Sequence, residues 1–503
     1  MIYVHWIILA VYTLLTIAAM VTVLMDRRQP AKTMAWMLVL IFLPAVGIIL
    51  YFFFGQNTRK ERVISQKSMD QLTKRSMLEF VEQKNLQLPD RHLSLIHLFV
   101  NQSFAMPFQN THTEIYTSGY EFFPALLSAV AQAKSHIHLD TYIIEDDPLG
   151  NLLADALIAK AHQGVEVRLI YDDVGSWKTK NTFFERLRNE GIEVHPYLPV
   201  RFPSFTSKVN YRNHRKLCII DGTVGFIGGM NIAMRYVKGI EKKEKEKDGA
   251  GRKRKQKRVL PWRDTHLRVE GRAVYGLQRA FLIDWYFVDR TLISNRRYYP
   301  SLSTAGNKAD GVKAATAGDR QTIAQVVTSN PTSPWPDIMQ GYVRILLEAK
   351  EYVYMETPYF LPTEPILFAM RTAALTGVDV RLMIPYHADS KLMEWASRSY
   401  VVETVEAGVK VYLYQAGFNH SKLLVADDSV STCGSTNIDF RSFENNFEAN
   451  IFFYGEEMAL RMKEVFLRDQ EQSLLLDDFM DMEHRSFVQR LWESLVRLLS
   501  PLL

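Results

Sequence analysis

Apolar positions follow two regimes along this chain. Near the N-terminus they run on without a charge. Trp6 to Met25 is one such run, and Met34 to Phe54, with Pro44 and Gly47 inside it, is a second. Between them lies a short polar stretch containing Asp26, Arg27, Arg28, Gln29, Pro30 and Lys32. Each run has about the 20 residues a helix needs to cross a bilayer. The pattern predicts a transmembrane hairpin over residues 1–57, with spans at about 5–25 and 34–54. A secretory signal is the rival for the first run, but the run lacks a basic flank and a second run follows directly. A buried core hairpin is the other alternative. Two spans return the chain to the side on which it began. Trp6, Trp36 and Tyr51 are candidates for the membrane boundary.

Beyond the hairpin the periods shorten. Residues 58–110 are polar with a helical pattern and read as a juxtamembrane connector. Two stretches then repeat one succession of elements. In the first, Ser135 to Tyr142 reads as a strand, Asn151 to His162 as a helix closed by Gly164, and Val165 to Tyr171 as a strand ending at Asp172 and Asp173. In the second, Tyr352 to Thr357 is the strand, Thr363 to Leu375 the helix closed by Gly377, and Val378 to Ile384 the next strand. Strand, helix, strand is the unit of a sheet covered by helices, and glycine just past a helix is a common cap. The expected fold class is α/β, a duplicated fold of two βαβ-rich halves at residues 111–298 and 331–480. Residues 299–330, rich in Ser, Thr, Ala and Gly, read as a linker. Residues 481–503 form an amphipathic pattern. Phe487, Leu491, Trp492, Leu495, Leu499 and Leu502 share one side, with Gln489, Arg490, Glu493 and Arg497 mostly elsewhere. That suits a helix packed on the body or one lying in a membrane interface.

Composition adds little until its distribution is considered. The 503 residues allow two or three domains, and the net charge is only +5. Residues Glu241 to Arg258 hold ten Lys/Arg and four acids, a net +6, so the remainder of the chain stands at −1. That run reads as a solvated, disordered loop or as a basic patch against anionic membrane lipid. The six basic residues Arg59, Lys60, Arg62, Lys67, Lys74 and Arg75 after the second span outnumber Arg27, Arg28 and Lys32 in the hairpin loop. By the positive-inside rule this favours a cytoplasmic main domain. The two cysteines, Cys218 and Cys433, read as buried thiols. No Cys/His cluster has metal-ligand spacing, so neither a metal nor another cofactor is expected.

The candidate chemistry lies in a pattern that occurs twice, H-x-K-x4-D. The first copy is His214, Lys216 and Asp221, followed by Gly228, Gly229 and Asn231; the second is His420, Lys422 and Asp427, followed by Gly434, Ser435 and Asn437. In a strand, residues i and i+2 share a face, so each histidine projects with its lysine. A neutral histidine is a competent nucleophile and a protonated one can donate to a leaving oxygen. Two lysines can neutralise the oxygens of a phosphodiester in the transition state. Asn231, Ser435 and Asn437 can donate hydrogen bonds to those oxygens. Asp221 and Asp427 complete the candidate catalytic set, although their distance past the lysine also suits a structural role.

Two such copies with matching tails resemble the phospholipase D superfamily, from about Tyr116 to Tyr454. The resemblance implies one active site built by both halves, with a carboxylate beyond the motif orienting each histidine. Glu448 matches that position in the second half and Asp264 in the first. It also implies that His214 attacks phosphorus to form a phosphohistidine, with His420 as acid and then base; the symmetry of the motifs leaves the reverse assignment open.

A narrower likeness covers nearly the whole chain. Arg27-Arg-Gln-Pro, Thr33-Met-Ala-Trp-Met-Leu-Val-Leu, Asp172-Asp-Val-Gly-Ser176, Trp262-Arg-Asp-Thr-His266, Thr357-Pro-Tyr-Phe360 and the ending Leu499-Ser-Pro-Leu-Leu503 are similar to bacterial cardiolipin synthases. This implies a multi-pass protein of the bacterial cell membrane in which phosphatidylglycerol is both donor and acceptor, giving cardiolipin and glycerol. A membrane-anchored phospholipase D hydrolase releasing phosphatidic acid is the alternative. A nuclease would need a basic groove, and the basic residues concentrate in one run, so no nucleic-acid partner is expected. The charged run departs from the family pattern, as does Ile232-Ala-Met-Arg-Tyr236 after Asn231, where acidic residues are more usual.

Overall fold

The computed structural model describes residues 2–25, 30–43, 45–51, 55, 66–83, 86–109, 111–200, 210–247, 253–301, 322–476 and 487–500. They divide into two compact units, Met1–Arg62 with Val200–Tyr211, and Val63–Pro199 with Arg212–Leu503.

In the smaller unit, Ile2–Met25 is one helix, and its Tyr3–Met25 stretch is long and apolar enough to cross a membrane. The second expected span, 34–54, is not a single helix. Pro30–Phe42 ends, Ala45 takes a left-handed φ of 58°, and Val46–Leu50 forms a separate short helix. Proline has no N–H for a continuous helical ladder. Pro44 itself lies outside the described residues, as do Arg27, Arg28, Arg59, Lys60 and Arg62. Among the described residues, only the first helix has the length to span. Trp36 meets Tyr51 edge-on at 5.5 Å, beside a small core of Val23, Leu40 and Tyr51.

In the larger unit the duplication is visible as topology. The first half contributes β1 (Thr111–Tyr116), β2 (His136–Thr141), β3 (Glu166–Asp172), β4 (Glu193–Tyr197), β5 (Lys216–Ile220), β6 (Val224–Gly228) and β7 (His266–Gly271). Their order across the sheet is β1-β7-β6-β5-β2-β3-β4. The second half contributes β8 (Ile323–Ser329), β9 (Tyr352–Glu356), β10 (Asp379–Pro385), β11 (Lys410–Tyr414), β12 (Leu423–Ala426), β13 (Val430–Gly434) and β14 (Asn446–Tyr454). Their order is β8-β14-β13-β12-β9-β10-β11, the same path seven strands later. Along each seven-strand path the last three strands are parallel and the rest antiparallel, and in the second sheet Ser473–Leu475 adds an antiparallel edge beyond β11. The parallel pairs need crossover helices. Pro148–His162 and Glu364–Leu375 supply one in each half, with Gly164 and Gly377 just past them at φ 84° and 94°. The inner parallel strands are the more buried and the more apolar, as at Leu169, Ile170 and Tyr171 of β3 and Leu382, Met383 and Ile384 of β10, whereas the outer strands β4 and β11 begin on the exposed Glu193 and Lys410.

Four expectations about the surrounding segments need correction. The connector 58–110 is not only a connector. Its helix Leu93–Ser103 sinks Leu95, Ile96 and Phe99 into the second-half core, with Phe99 at 4.6 Å from Phe452. Pro107–Phe108 then pairs with β8 at the edge of the second sheet. The linker 299–330 stops short of its expected end, because its last residues are β8, a buried strand of that sheet; the residues 302–321 lie outside the described set. The run Glu241 to Arg258 is not a shapeless loop. Ile240–Lys247 and Lys253–Leu260 pair as an antiparallel ribbon. At the C-terminus, the helix Phe487–Leu499 rests on the helix Lys391–Glu406. Val496 joins the core, and Arg497 pairs with Glu403 and lies 4.3 Å over the Tyr400 ring. The expected apolar side is therefore not the packed one: Leu491, Trp492 and Leu495 are exposed.

Candidate active site

Two short parallel pairings lock the halves together beside the motifs. Arg212–Asn213 pairs with the start of β14, at Asn446 and Phe447. Trp262–Arg263 pairs with Phe418–Asn419. The main chain then ties each histidine to the opposite half: His214 N donates to Phe447 O at 2.9 Å, and His420 N donates to Arg263 O at 2.7 Å. Both histidine main chains are thus anchored to the opposite half before any side chain acts.

The orienting carboxylates follow the same crossing. His214 Nδ1 lies 3.0 Å from Oε1 of Glu448, in the second half. His420 Nδ1 lies 2.7 Å from Oδ2 of Asp264, in the first. A carboxylate only accepts, so Nδ1 carries the proton in each ring and Nε2 keeps its lone pair. Each carboxylate is itself braced. Ser435 Oγ donates to Glu448, and Asn446 Nδ2 donates to it at 3.2 Å. Thr265 N donates to Asp264 Oδ1 at 2.9 Å and Trp262 Nε1 to Oδ2 at 3.4 Å. A Cβ at Gly229 would stand 2.0 Å from Asp264 Oδ1, which explains the small residue in that motif tail.

Lys216 and Lys422 follow their histidines as the strand period predicts. Each ammonium donates to the carbonyl of its own histidine, and Lys422 Nζ is 2.8 Å from His420 Nδ1. Aromatic rings wall the site. Tyr142 is 4.9 Å from His214, and Trp262 is 5.0 Å, Tyr359 6.3 Å and Tyr236 6.4 Å from His420.

Several candidate residues lie elsewhere or are already engaged. Asp221 accepts from the backbone N–H groups of Lys134, Ser135 and His136, at 2.7–2.9 Å. Asp427 does the same for Lys350, Glu351 and Tyr352, at 2.8–2.9 Å, and pairs with Arg91. Each aspartate stands five positions past its lysine along an extended run, roughly 16 Å, so both belong to the far rim of their sheets. Asn231 accepts from Ile143 N at 3.1 Å and donates to the Tyr236 hydroxyl. Asn437 donates to Asp439 at 3.0 Å. With Ser435 on Glu448, all three expected phosphate donors are bonded within the protein wall, as buried polar groups require.

The sequence reading passed over Asn213 and Asn419, although both motifs are in fact Asn-His-x-Lys. Asn213 Nδ2 donates to Asp140 at 2.8 Å, and its Oδ1 accepts from Arg215 N at 3.2 Å. Asn419 Oδ1 accepts from Ser421 N at 2.9 Å. Each amide thereby shapes the turn that carries its histidine.

The family described as "Cardiolipin synthase, PLD-like domain" matches residues 126–244 and 342–470, and the family "Phospholipase_D-nuclease N-terminal" matches residues 14–56. The chain is 38% identical to the cardiolipin synthase of Oceanobacillus iheyensis, over 97% of both chains. It is 37% identical to that of Listeria monocytogenes serotype 4b, over 96% of both. The chain belongs to the cardiolipin synthase family. Among solved structures, the phosphatidylserine synthase of Haemophilus influenzae Rd KW20 shares the fold, with a TM-score of 0.58 at 14% identity, covering 82% of this chain and 100% of that one.

In this cardiolipin synthase family member, burial decides the charge state of the site. It pulls His214 down to about 4 against the attraction of Glu448. It pulls His420 down to about 3, with Lys422 adding to the effect and Asp264 opposing it. Burial also lowers Lys216 to about 7 and Lys422 to about 8, although Glu448 and Asp264 pull each back. For the two carboxylates, burial alone would raise the pKa. His214 beside Glu448, and Lys422 and His420 beside Asp264, outweigh it and hold both below the ordinary value. At neutral pH the empty site therefore presents two neutral imidazoles, two anionic carboxylates and two easily neutralised ammonium groups.

Proposed function

We propose that this protein transfers a phosphatidyl group from one phosphatidylglycerol to another, giving cardiolipin and glycerol. The observation that carries this reading over simple hydrolysis is the likeness to cardiolipin synthases along the whole chain, not only at the two motifs. The crossed histidine–carboxylate pairs supply the chemistry. His214 Nε2 attacks the donor phosphorus, and His420 gives a proton to the departing glycerol oxygen. The result is a phosphohistidine at His214. Burial is the main cause of the low His420 pKa, and entry of an anionic phosphate between Lys216 and Lys422 offsets the positive field that adds to it, which favours the proton that His420 must hold. His420 then takes a proton from the primary hydroxyl of the second phosphatidylglycerol as it attacks, and His214 is restored. Glu448 and Asp264 fix the tautomers.

Both substrates are lipids, and the helix Ile2–Met25 gives a means of keeping the body at the bilayer. In the proposed arrangement that helix and the interrupted second apolar run form a multi-pass anchor, with the main body on the cytoplasmic side. The proposed domain division is a hairpin, a first half, a second half and a C-terminal helix. The test uses purified protein in mixed micelles with headgroup-labelled phosphatidylglycerol as the sole lipid, and products identified by mass spectrometry. Cardiolipin and free glycerol, both lost in His214→Ala and in His420→Ala, are the expected outcome. Phosphatidic acid and glycerol without a dimeric lipid would make water the acceptor and the protein a hydrolase.

A further inference from the structure

The run Glu241 to Arg258 supplies no group to the site, yet its pairing is ordered in a telling way. Partners in the ribbon are Lys243 with Lys257, Lys245 with Lys255 and Lys247 with Lys253. Side-chain positions alternate along a strand, so these six positions share one face, and all six are lysine. The alternate face takes Lys242 with Arg258, Glu244 with Gln256 and Glu246 with Arg254. Both glutamates within the paired lysine stretch thus fall on the mixed face. Like charges directly opposed across a ribbon destabilise it, and a two-stranded ribbon has little stability of its own in water. Three lysine pairs in succession are intelligible where an anionic surface neutralises them.

The base of the ribbon says which surface. Ile240 pairs with Leu260. Four residues before Ile240 is Tyr236, and two after Leu260 is Trp262; the two rings lie 4.4 Å apart and both meet His420. Gly239, at φ 85°, lets the two strands close at this point, since a Cβ there would stand 2.2 Å from Leu260 O. The ribbon therefore springs from the aromatic wall of the active site and extends from it by eight residues, about 26 Å.

We propose that the ribbon is an anion-binding arm, whose lysine face rests on the anionic headgroups of the bilayer and holds phosphatidylglycerol at the mouth of the site. The inference rests on the phosphatidyl-transfer reading. The arm concentrates donor and acceptor where the lipid surface is dilute in them, and leaves the chemical step untouched.

The test compares full-length wild type with Lys243→Gln/Lys245→Gln/Lys255→Gln/Lys257→Gln in phosphatidylcholine nanodiscs of graded phosphatidylglycerol content. Loss of four lysines is expected to raise the apparent KM, in surface mole fraction, by at least about tenfold, since each lysine near an anionic leaflet is worth about a factor of five. The kcat at saturating phosphatidylglycerol is expected to stay at the wild-type value. Raising salt shortens the screening length and is expected to raise the wild-type KM towards that of the variant, whose own KM barely moves. A second readout needs no variant: amide exchange of residues 240–260 slows in phosphatidylglycerol discs and not in neutral ones. An unchanged KM and salt response in the variant overturns the arm, as does equal protection in neutral discs. Protection by duplex DNA but not by anionic discs overturns it in favour of a nucleic-acid contact. Failure of wild type to make any cardiolipin sinks the reaction itself, whereas cardiolipin from both proteins at equal KM sinks only the arm.

Discussion

Glu448 holds Nδ1 of His214 at 3.0 Å across 234 residues of chain, from the opposite half of the duplication. Asp264 returns the exchange to His420 over 156 residues. Neither half contains a complete histidine–carboxylate pair, so the two motifs are one site by construction.

Removing either carboxylate's charge should separate the two roles. Glu448→Gln is expected to lower kcat on the order of 10⁴-fold, as loss of a tautomer-fixing carboxylate does elsewhere, and to slow formation of the covalent intermediate. Asp264→Asn should lower kcat comparably while acting on departure of glycerol and activation of the acceptor. Rapid-quench detection of acid-labile phosphohistidine checks the difference. A trapped phosphohistidine that maps to His420 instead of His214 would refute the assignment of His214 as nucleophile.

Gly229→Ala should mimic Asp264→Asn without touching an ionisable group. The added methyl meets Asp264 Oδ1 at 2.0 Å and must displace it. A loss of kcat, with bound phospholipid retained in a pull-down from micelles, is the expected result. Wild-type turnover would mean that Asp264 tolerates movement and is not a precise brace.

Asp221→Ala should damage the fold and spare the chemistry. Three backbone N–H groups lose their acceptor, at a cost of about 1–3 kcal/mol. Asp221 also holds a left-handed φ of 53°, which alanine disfavours and asparagine accepts. Thermal melting should rank wild type above Asp221→Asn, and that above Asp221→Ala. Specific activity per folded molecule should stay near wild type; a collapse of kcat with an unchanged melting temperature would restore Asp221 to the catalytic set.

The pH profile of kcat/KM, which reports the free enzyme, should be shifted on both limbs. His214 must be neutral to attack, and burial lowers it to about 4, so the acid limb falls well below the 6.5 of free imidazole. The lysines must be charged to meet the phosphate. With Lys216 near 7 and Lys422 near 8, their loss of charge should steepen, from about pH 7 upward, the decline already set by the buried acid His420, far below the range of an ordinary lysine. Lys216→Arg, which cannot lose its proton, should move the alkaline limb upward if Lys216 sets it. An unmoved limb would assign it elsewhere.

Much of this was legible because strands have a period of two. That spacing alone set each histidine beside its lysine, and repetition of the motif announced the duplicated sheet. The crossing was not legible, since nothing in a linear motif says which half's carboxylate reaches which ring. Asp221 and Asp427 misled for a related reason: adjacency in the motif conceals a strand long enough to carry them to the other rim. The helix at Leu93–Ser103 was hidden in a polar neighbourhood, and β8 behind a segment poor in large apolar residues. The ribbon gave no apolar period at all, because its alternation is written in charge.

The reciprocal main-chain bonds, His214 N to Phe447 O and His420 N to Arg263 O, make the gap between the imidazoles a fixed gauge. Under the proposed chemistry the headgroups take turns: the glycerol of the first lipid departs, its phosphatidyl group stays on His214, and only then does the hydroxyl of the second enter. Kinetic order would then be inherited from architecture, and ping-pong behaviour would be a property of the backbone as much as of the histidines.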